Sequence, residues 1–105
     1  MDRKRYEMEA ERLISDRIAT LRSLTFDRAG ALPEAAGEEA VVAGRKCALT
    51  TFRQQVGPEG ILVTVQLARR GLFGLGTFHT EKGLIFSRNG PVRDASQQEL
   101  LESGG

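Results

Sequence analysis

Hydrophobic positions along the chain recur at two different periods. Between Lys4 and Leu24, the residues Tyr6, Ala10, Leu13, Ile14, Ile18, Leu21 and Leu24 fall on one side of a helical wheel. That is the period of an α-helix burying a single stripe. Arg3 and Glu7, Arg5 and Glu9, and Arg12 and Asp16 stand one turn apart on the remaining surface, where opposite charges pair in water. The pattern predicts a helix over about residues 4–24 whose stripe packs on a sheet of the same chain.

Thr25 can cap a short helical turn over about 25–32, and Pro33, Gly37 and the small residues between them then read as an irregular connector. Beyond it the period shortens to that of strands. Residues 40–43 form a first short candidate, Gly44 offers a turn, and 45–56, rich in threonine and apolar residues, form a second. Gly57-Pro58-Glu59-Gly60 forces a reversal. The clearest alternation follows: Ile61, Val63, Val65 and Leu67 point one way, and Leu62, Thr64, Gln66 and Ala68 the other. The third strand is therefore expected over 61–69.

After a reversal at Gly71, a strand over 73–80 is expected to meet Glu81-Lys82-Gly83, read as a three-residue hairpin loop, and to return over 84–88. Pairing across that loop would set Thr80 opposite Leu84 and Phe78 opposite Phe86, with Phe52 on the same core face. Asn89-Gly90-Pro91 reads as the turn that ends the sheet, and Ser96 with Glu99 forms a capping box for a helix over about 96–102. The expected fold class is α+β: one domain in which an N-terminal amphipathic helix packs on an antiparallel β-meander of four to five strands, followed by a short C-terminal helix.

Composition changes this picture little. The chain has 105 residues, 40% apolar and 28% charged, a balance suited to one ordinary core. No apolar run approaches the 20 or so residues that span a bilayer, and no signal peptide is visible, so a cytoplasmic location without membrane partners is expected. A single cysteine, Cys47, excludes an intramolecular disulfide, in keeping with a reducing compartment. The formal net charge of +1 gives no overall pull toward nucleic acid. Arginine outnumbers lysine, and alanine and glycine are abundant; this composition suits a GC-rich bacterial genome as well as any phosphate preference.

Candidate chemistry is sparse. His79 is the one histidine and would need a carboxylate to orient it as a general base. Cys47 would need a lowered pKa to act as a nucleophile and reads more simply as a small buried hydrophobe. One histidine and one cysteine do not make a metal site, and no cofactor is implied. Arg69, Arg70, Gly71 and Gly74 form an arginine- and glycine-rich reversal that could bind an anion, although it matches neither phosphate-loop pattern. Arg45, Arg53, Arg69, Arg70, Lys82, Arg88 and Arg93 could together meet nucleic acid at a sheet edge. The aromatic residues that would stack on bases are assigned instead to the core.

The sheet's second face carries Leu62, Leu75 and Ile85 among Thr64, Gln66, Thr77 and His79. Leu49 would join them if Phe52 faces the core. Aliphatics mixed with uncharged polar groups suit a surface covered by another subunit, or by the short C-terminal helix of the same chain. The expectation is a non-catalytic module that binds a protein partner or forms a homodimer through this face. Nucleic-acid or phosphate binding, and a small enzyme using His79 or Cys47, stand as alternatives.

Overall fold

The computed structural model of the protein describes residues 2–70 and 77–103. Its elements follow in the order α1 (Asp2–Arg22), α2 (Phe26–Gly30), β1 (Ala35–Val42), β2 (Arg45–Gln55), β3 (Gly60–Arg70), β4 (Thr77–Ser87), β5 (Gly90–Asp94) and α3 (Gln97–Ser103). The strands form one five-stranded sheet in the order β1-β2-β3-β4-β5, and each neighbouring pair is antiparallel. The α+β class and the meander are those expected from the periodicity.

The helical stripe and the clearest strand account for each other. Tyr6, Ala10, Ile14, Ile18 and Leu21 of α1 are buried against Ile61, Val63, Val65 and Leu67 of β3 and against Leu84 and Phe86 of β4. Each large aliphatic side chain taken fully out of water contributes about 1.5–3 kcal/mol. The exposed pairs Arg3–Glu7 and Arg5–Glu9, 3.4 and 3.5 Å apart, contribute about 0.3–0.5 kcal/mol each. Burial therefore decides where α1 lies. Polar contacts then set its heading: Arg17 pairs with Glu38 on β1, Glu11 with Lys82 on β4, and Arg22 with Asp94 on β5.

Two short connections have clear local causes. The Thr25 hydroxyl accepts the Arg28 N–H at 3.2 Å and caps α2, as expected of a helix N-cap. Ala43 and Gly44, with φ of 51° and 77°, make the two-residue turn between Val42 and Arg45. Such a turn matches strand twist when both residues adopt left-handed φ.

Several sequence expectations are corrected. β1 begins at Ala35, so most of the expected connector is strand. It is held by an unbroken register from Ala35↔Phe52 to Val42↔Arg45. Glu81-Lys82-Gly83 is not a hairpin loop: β4 runs straight through it, with Gly83 opposite Thr64 and Lys82 opposite Val65. Phe78 and Thr80 consequently face Arg69 and Leu67 across β3, and Phe86 faces Ile61, so the expected pairs of Phe78 with Phe86 and of Thr80 with Leu84 do not form. Asn89-Gly90-Pro91 does not end the sheet but turns into β5. The β3–β4 reversal over 71–76 lies outside the described residues.

Phe52 also departs from its expected face. The β2–β3 register sets Leu49 opposite Leu67 and Phe52 opposite Thr64. Cys47 and Leu49 therefore enter the core, while Phe52 stands on the other side, 39% exposed. Strand parity forces the choice, because residues 49 and 52 cannot share a face. Leu49 is accordingly absent from the second face.

Candidate functional site

The side of the sheet away from α1 consists of cross-strand rows. Gln54, Leu62 and Ile85 make one row; Phe52, Thr64 and Gly83 the next; Thr50, Gln66 and Glu81 a third; Ala48, Ala68 and His79 a fourth. The rows differ in cover. Leu62 and Ile85 are buried beneath Leu100 of α3, with Val56 and Ala95 packed around them. Thr50, Thr64, Gln66 and Ala68 are only half-buried, and Phe52 stands out among them.

The seat of α3 depends on Gly83. A Cβ there would lie 2.9 Å from Leu100 Cδ2 and 3.2 Å from Leu62 Cδ1, closer than side chains pack without displacement. The Gly83 carbonyl also accepts the Ala95 N–H at 2.9 Å. At the helix start the expected capping box is present: Ser96 Oγ accepts the Glu99 N–H at 3.1 Å, and Glu99 Oε1 accepts the Ser96 N–H at 2.9 Å. Arg93 of β5 adds two parallel hydrogen bonds to the same carboxylate, at 2.9 and 2.8 Å. Chiefly through these, the Glu99 carboxyl is held down to about 2, with the Ser96 N–H adding to the effect.

The end of the face beside α3 opens into a cavity of about 700 Å³ between the β2–β3 and β4–β5 turns. Four of its five charged groups are matched within the chain, Arg88 meeting Glu59 at 2.7 Å and Arg93 meeting Glu99, while Glu102 stands at the rim. The cavity floor is the Leu62 and Ile85 pair that α3 already covers. This opening presents little to a ligand that the chain does not satisfy itself.

Cys47 lies on the opposite side, in the core. Its sulfur sits 3.8 Å from the Tyr6 hydroxyl and donates to the Arg45 carbonyl at 3.6 Å. The Arg69 guanidinium lies 4.5 Å from the Tyr6 ring centroid, a cation–π arrangement. Burial, reinforced by the Cys47 contact, pushes the Tyr6 phenol up to about 12. Cys47 is thus the small buried hydrophobe that its sequence context suggested. Among the described residues, no group of three or more His, Cys, Asp or Glu is placed to hold a metal ion, and no helix is long and apolar enough to cross a membrane.

The basic residues singled out in the sequence are spread over both faces, and most are engaged. Arg53 Nε donates to the Leu32 carbonyl at 2.6 Å, Lys82 Nζ to Ser15 Oγ at 3.3 Å, and Arg88 stacks 4.8 Å from the Phe26 ring centroid. Arg69 and Arg70 sit at the end of β3, Arg70 opposite Thr77. Gly71, Gly74 and Leu75 fall outside the described residues. His79 takes the register position opposite Ala68.

Of the residues expected on the second face, Thr64 and Gln66 lie in its open part, and Leu62 and Ile85 lie under α3. Thr50 and Phe52 belong to the open part and were missed. The alternation of Cys47 and Leu49 with Ala48 and Thr50 was the signal that could have placed them. No family model, no curated protein and no solved structure matches this chain.

Proposed function

We propose that the protein is a non-catalytic module that associates with a second copy of itself through the open part of the sheet face, around Thr50, Phe52, Thr64 and Gln66. The observation that carries this reading is Phe52, 39% exposed beside Thr50, Thr64 and Gln66 on a face whose other end is sealed by α3. An aromatic ring ringed by threonine and glutamine is the composition of an interface centre more than of a solvated sheet. Glu81 ends the row of Thr50 and Gln66, so a two-fold arrangement of stacked sheets suits these faces when it sets the Phe52 rows together and keeps the two Glu81 carboxylates apart. The burial of Cys47 against Tyr6 supports the non-catalytic part of the reading.

Magnitude limits the affinity. Four strands at about 4.8 Å spacing and some six residues of each at about 3.4 Å outline roughly 400 Å² per copy. That is below the roughly 800 Å² per partner of a standard stable interface. The dimer should therefore be weak and concentration-dependent. Sedimentation equilibrium over a wide concentration range should show reversible growth from one chain mass toward two, and Phe52→Asp should abolish it while leaving the unfolding midpoint nearly unchanged. A wild-type chain that keeps a single-chain mass at millimolar concentration would refute this reading.

A further inference from the structure

The two edges of the sheet are built differently. β5 has five residues, Gly90–Asp94, and includes Pro91, which has no N–H to offer a neighbour. It leads directly into α3, and Arg93 ties it to Glu99. β1 has eight residues, Ala35–Val42, and contains no proline, lysine or arginine. Its pairing with β2 continues without a register shift, so no bulge twists the edge away. About half the backbone groups of such a strand point outward, and protected edges use proline, lysine, bulges or a covering element. Among the described residues β1 carries no proline, lysine, bulge or covering element; its charges, Glu38 and Glu39, are all acidic, and its residues 35–39 are exposed on both faces.

The side chains of β1 indicate what kind of strand would fit. Ala35, Ala36, Gly37 and Ala40 leave the flank sterically clear, and the charges are all acidic: Glu38 and Glu39 at the middle, with Glu34 just before the strand. Glu38 is paired with Arg17, whereas Glu34 and Glu39 form no ion pair among the described residues. A second β1 laid antiparallel on this edge would bring the central glutamates of both copies opposite or diagonal to one another in every register that pairs most of the strand. Like charges in those positions are destabilising. Arg45 and Lys46 lie on β2, a strand further in and about 10 Å from an added strand, near the screening length at 0.1 M salt. The glutamates of β1 therefore dominate the field at the edge.

We propose that β1 is a docking edge for an extended, basic segment of another protein, which adds to the sheet as a further strand and sets lysine or arginine beside Glu39. Main-chain hydrogen bonds would supply affinity and the carboxylates selectivity. This edge is separate from the open face around Phe52, and the two readings stand or fall independently.

The test uses the full chain and three labelled nine-residue peptides: alternating valine and lysine, the same peptide with glutamate for lysine, and the lysine peptide N-methylated on alternate backbone amides. Fluorescence anisotropy at low salt should show the lysine peptide binding roughly five- to tenfold more tightly than the glutamate peptide. The N-methylated peptide should lose binding, and amide exchange should slow within residues 35–42. Glu39→Lys, at an exposed position, should erase or reverse the preference while the far-ultraviolet spectrum stays unchanged. Equal binding of both charge types, protection centred on Phe52 instead of β1, binding of the N-methylated peptide, or no saturation at millimolar peptide would overturn the proposal. Self-association of the chain through β1 at neutral pH would overturn it as well.

Discussion

On the side beneath α1, Ile61, Val63, Val65, Leu67, Leu84 and Phe86 are at most 8% exposed, whereas on the other side Leu62 and Ile85 are buried and Phe52 is 39% exposed. Helix length explains the contrast. The 21 residues of α1 span about 31 Å, enough to follow the long strands, while the 7 residues of α3 span about 10 Å and cover one end. Cover and composition differ together: where a helix lies, the sheet presents chiefly aliphatics, and where none lies, it presents threonine, glutamine, alanine, Glu81 and one phenylalanine.

The contrast can be broken hardest from the α1 side. Leu67→Ala should cost about 2–5 kcal/mol in urea unfolding, because a fully buried side chain is removed beneath a helix that cannot collapse onto the gap. Thr64→Ala, on the open side, should stay within about 0.5 kcal/mol. Similar losses for both would mean that the two sides are not finished differently.

A smaller and more local effect is expected at Gly83. Gly83→Val would drive a side chain into Leu100, at a cost of about 1–3 kcal/mol, and should release α3 while α1 stays in place. Hydrogen exchange should then show fast amides over residues 97–103, slow ones through α1, and new binding of a hydrophobic dye at the uncovered Leu62 and Ile85. Retention of slow exchange in α3 would show that its seat does not need the glycine.

The mildest probe is pH, because it touches each side through one group. Glu99 titrates at about 2 in the folded chain instead of its ordinary 4.5. Its contribution is complete above about 4.5 and fades as the pH falls toward 2. α3 should loosen over that interval, and Glu99→Gln should flatten the response. Tyr6 titrates near 12 instead of 10, so its contribution is complete below 10 and is lost as the pH rises through 12. As the only tyrosine, in a chain without tryptophan, it can be followed by phenolate absorbance. Ionisation near 10 would show that Tyr6 is not buried as described.

Much of this architecture was legible from local pattern. The stripe of α1, the alternation of β3, the cap at Thr25 and the box between Ser96 and Glu99 each depend on residues within a turn or two of one another, and each is present. The open site was legible only in part. Thr64 and Gln66 were placed by alternation, but Phe52 was not, because its side follows from the register between β2 and β3.

The sequence by itself determined the α1 stripe, the two-sidedness of β3 and the order of the elements, since period and capping are properties of neighbours along the chain. The tertiary structure decided what Glu81-Lys82-Gly83 would be. That triplet has the composition of a turn, yet Lys82 reaches Glu11 of α1 on one side and Gly83 makes room for Leu100 of α3 on the other. A glycine selected for the space above it looks, in sequence, like a glycine selected for its backbone angles. Only the packing of distant residues separates the two, and here it kept the strand running and left Phe52 in the open.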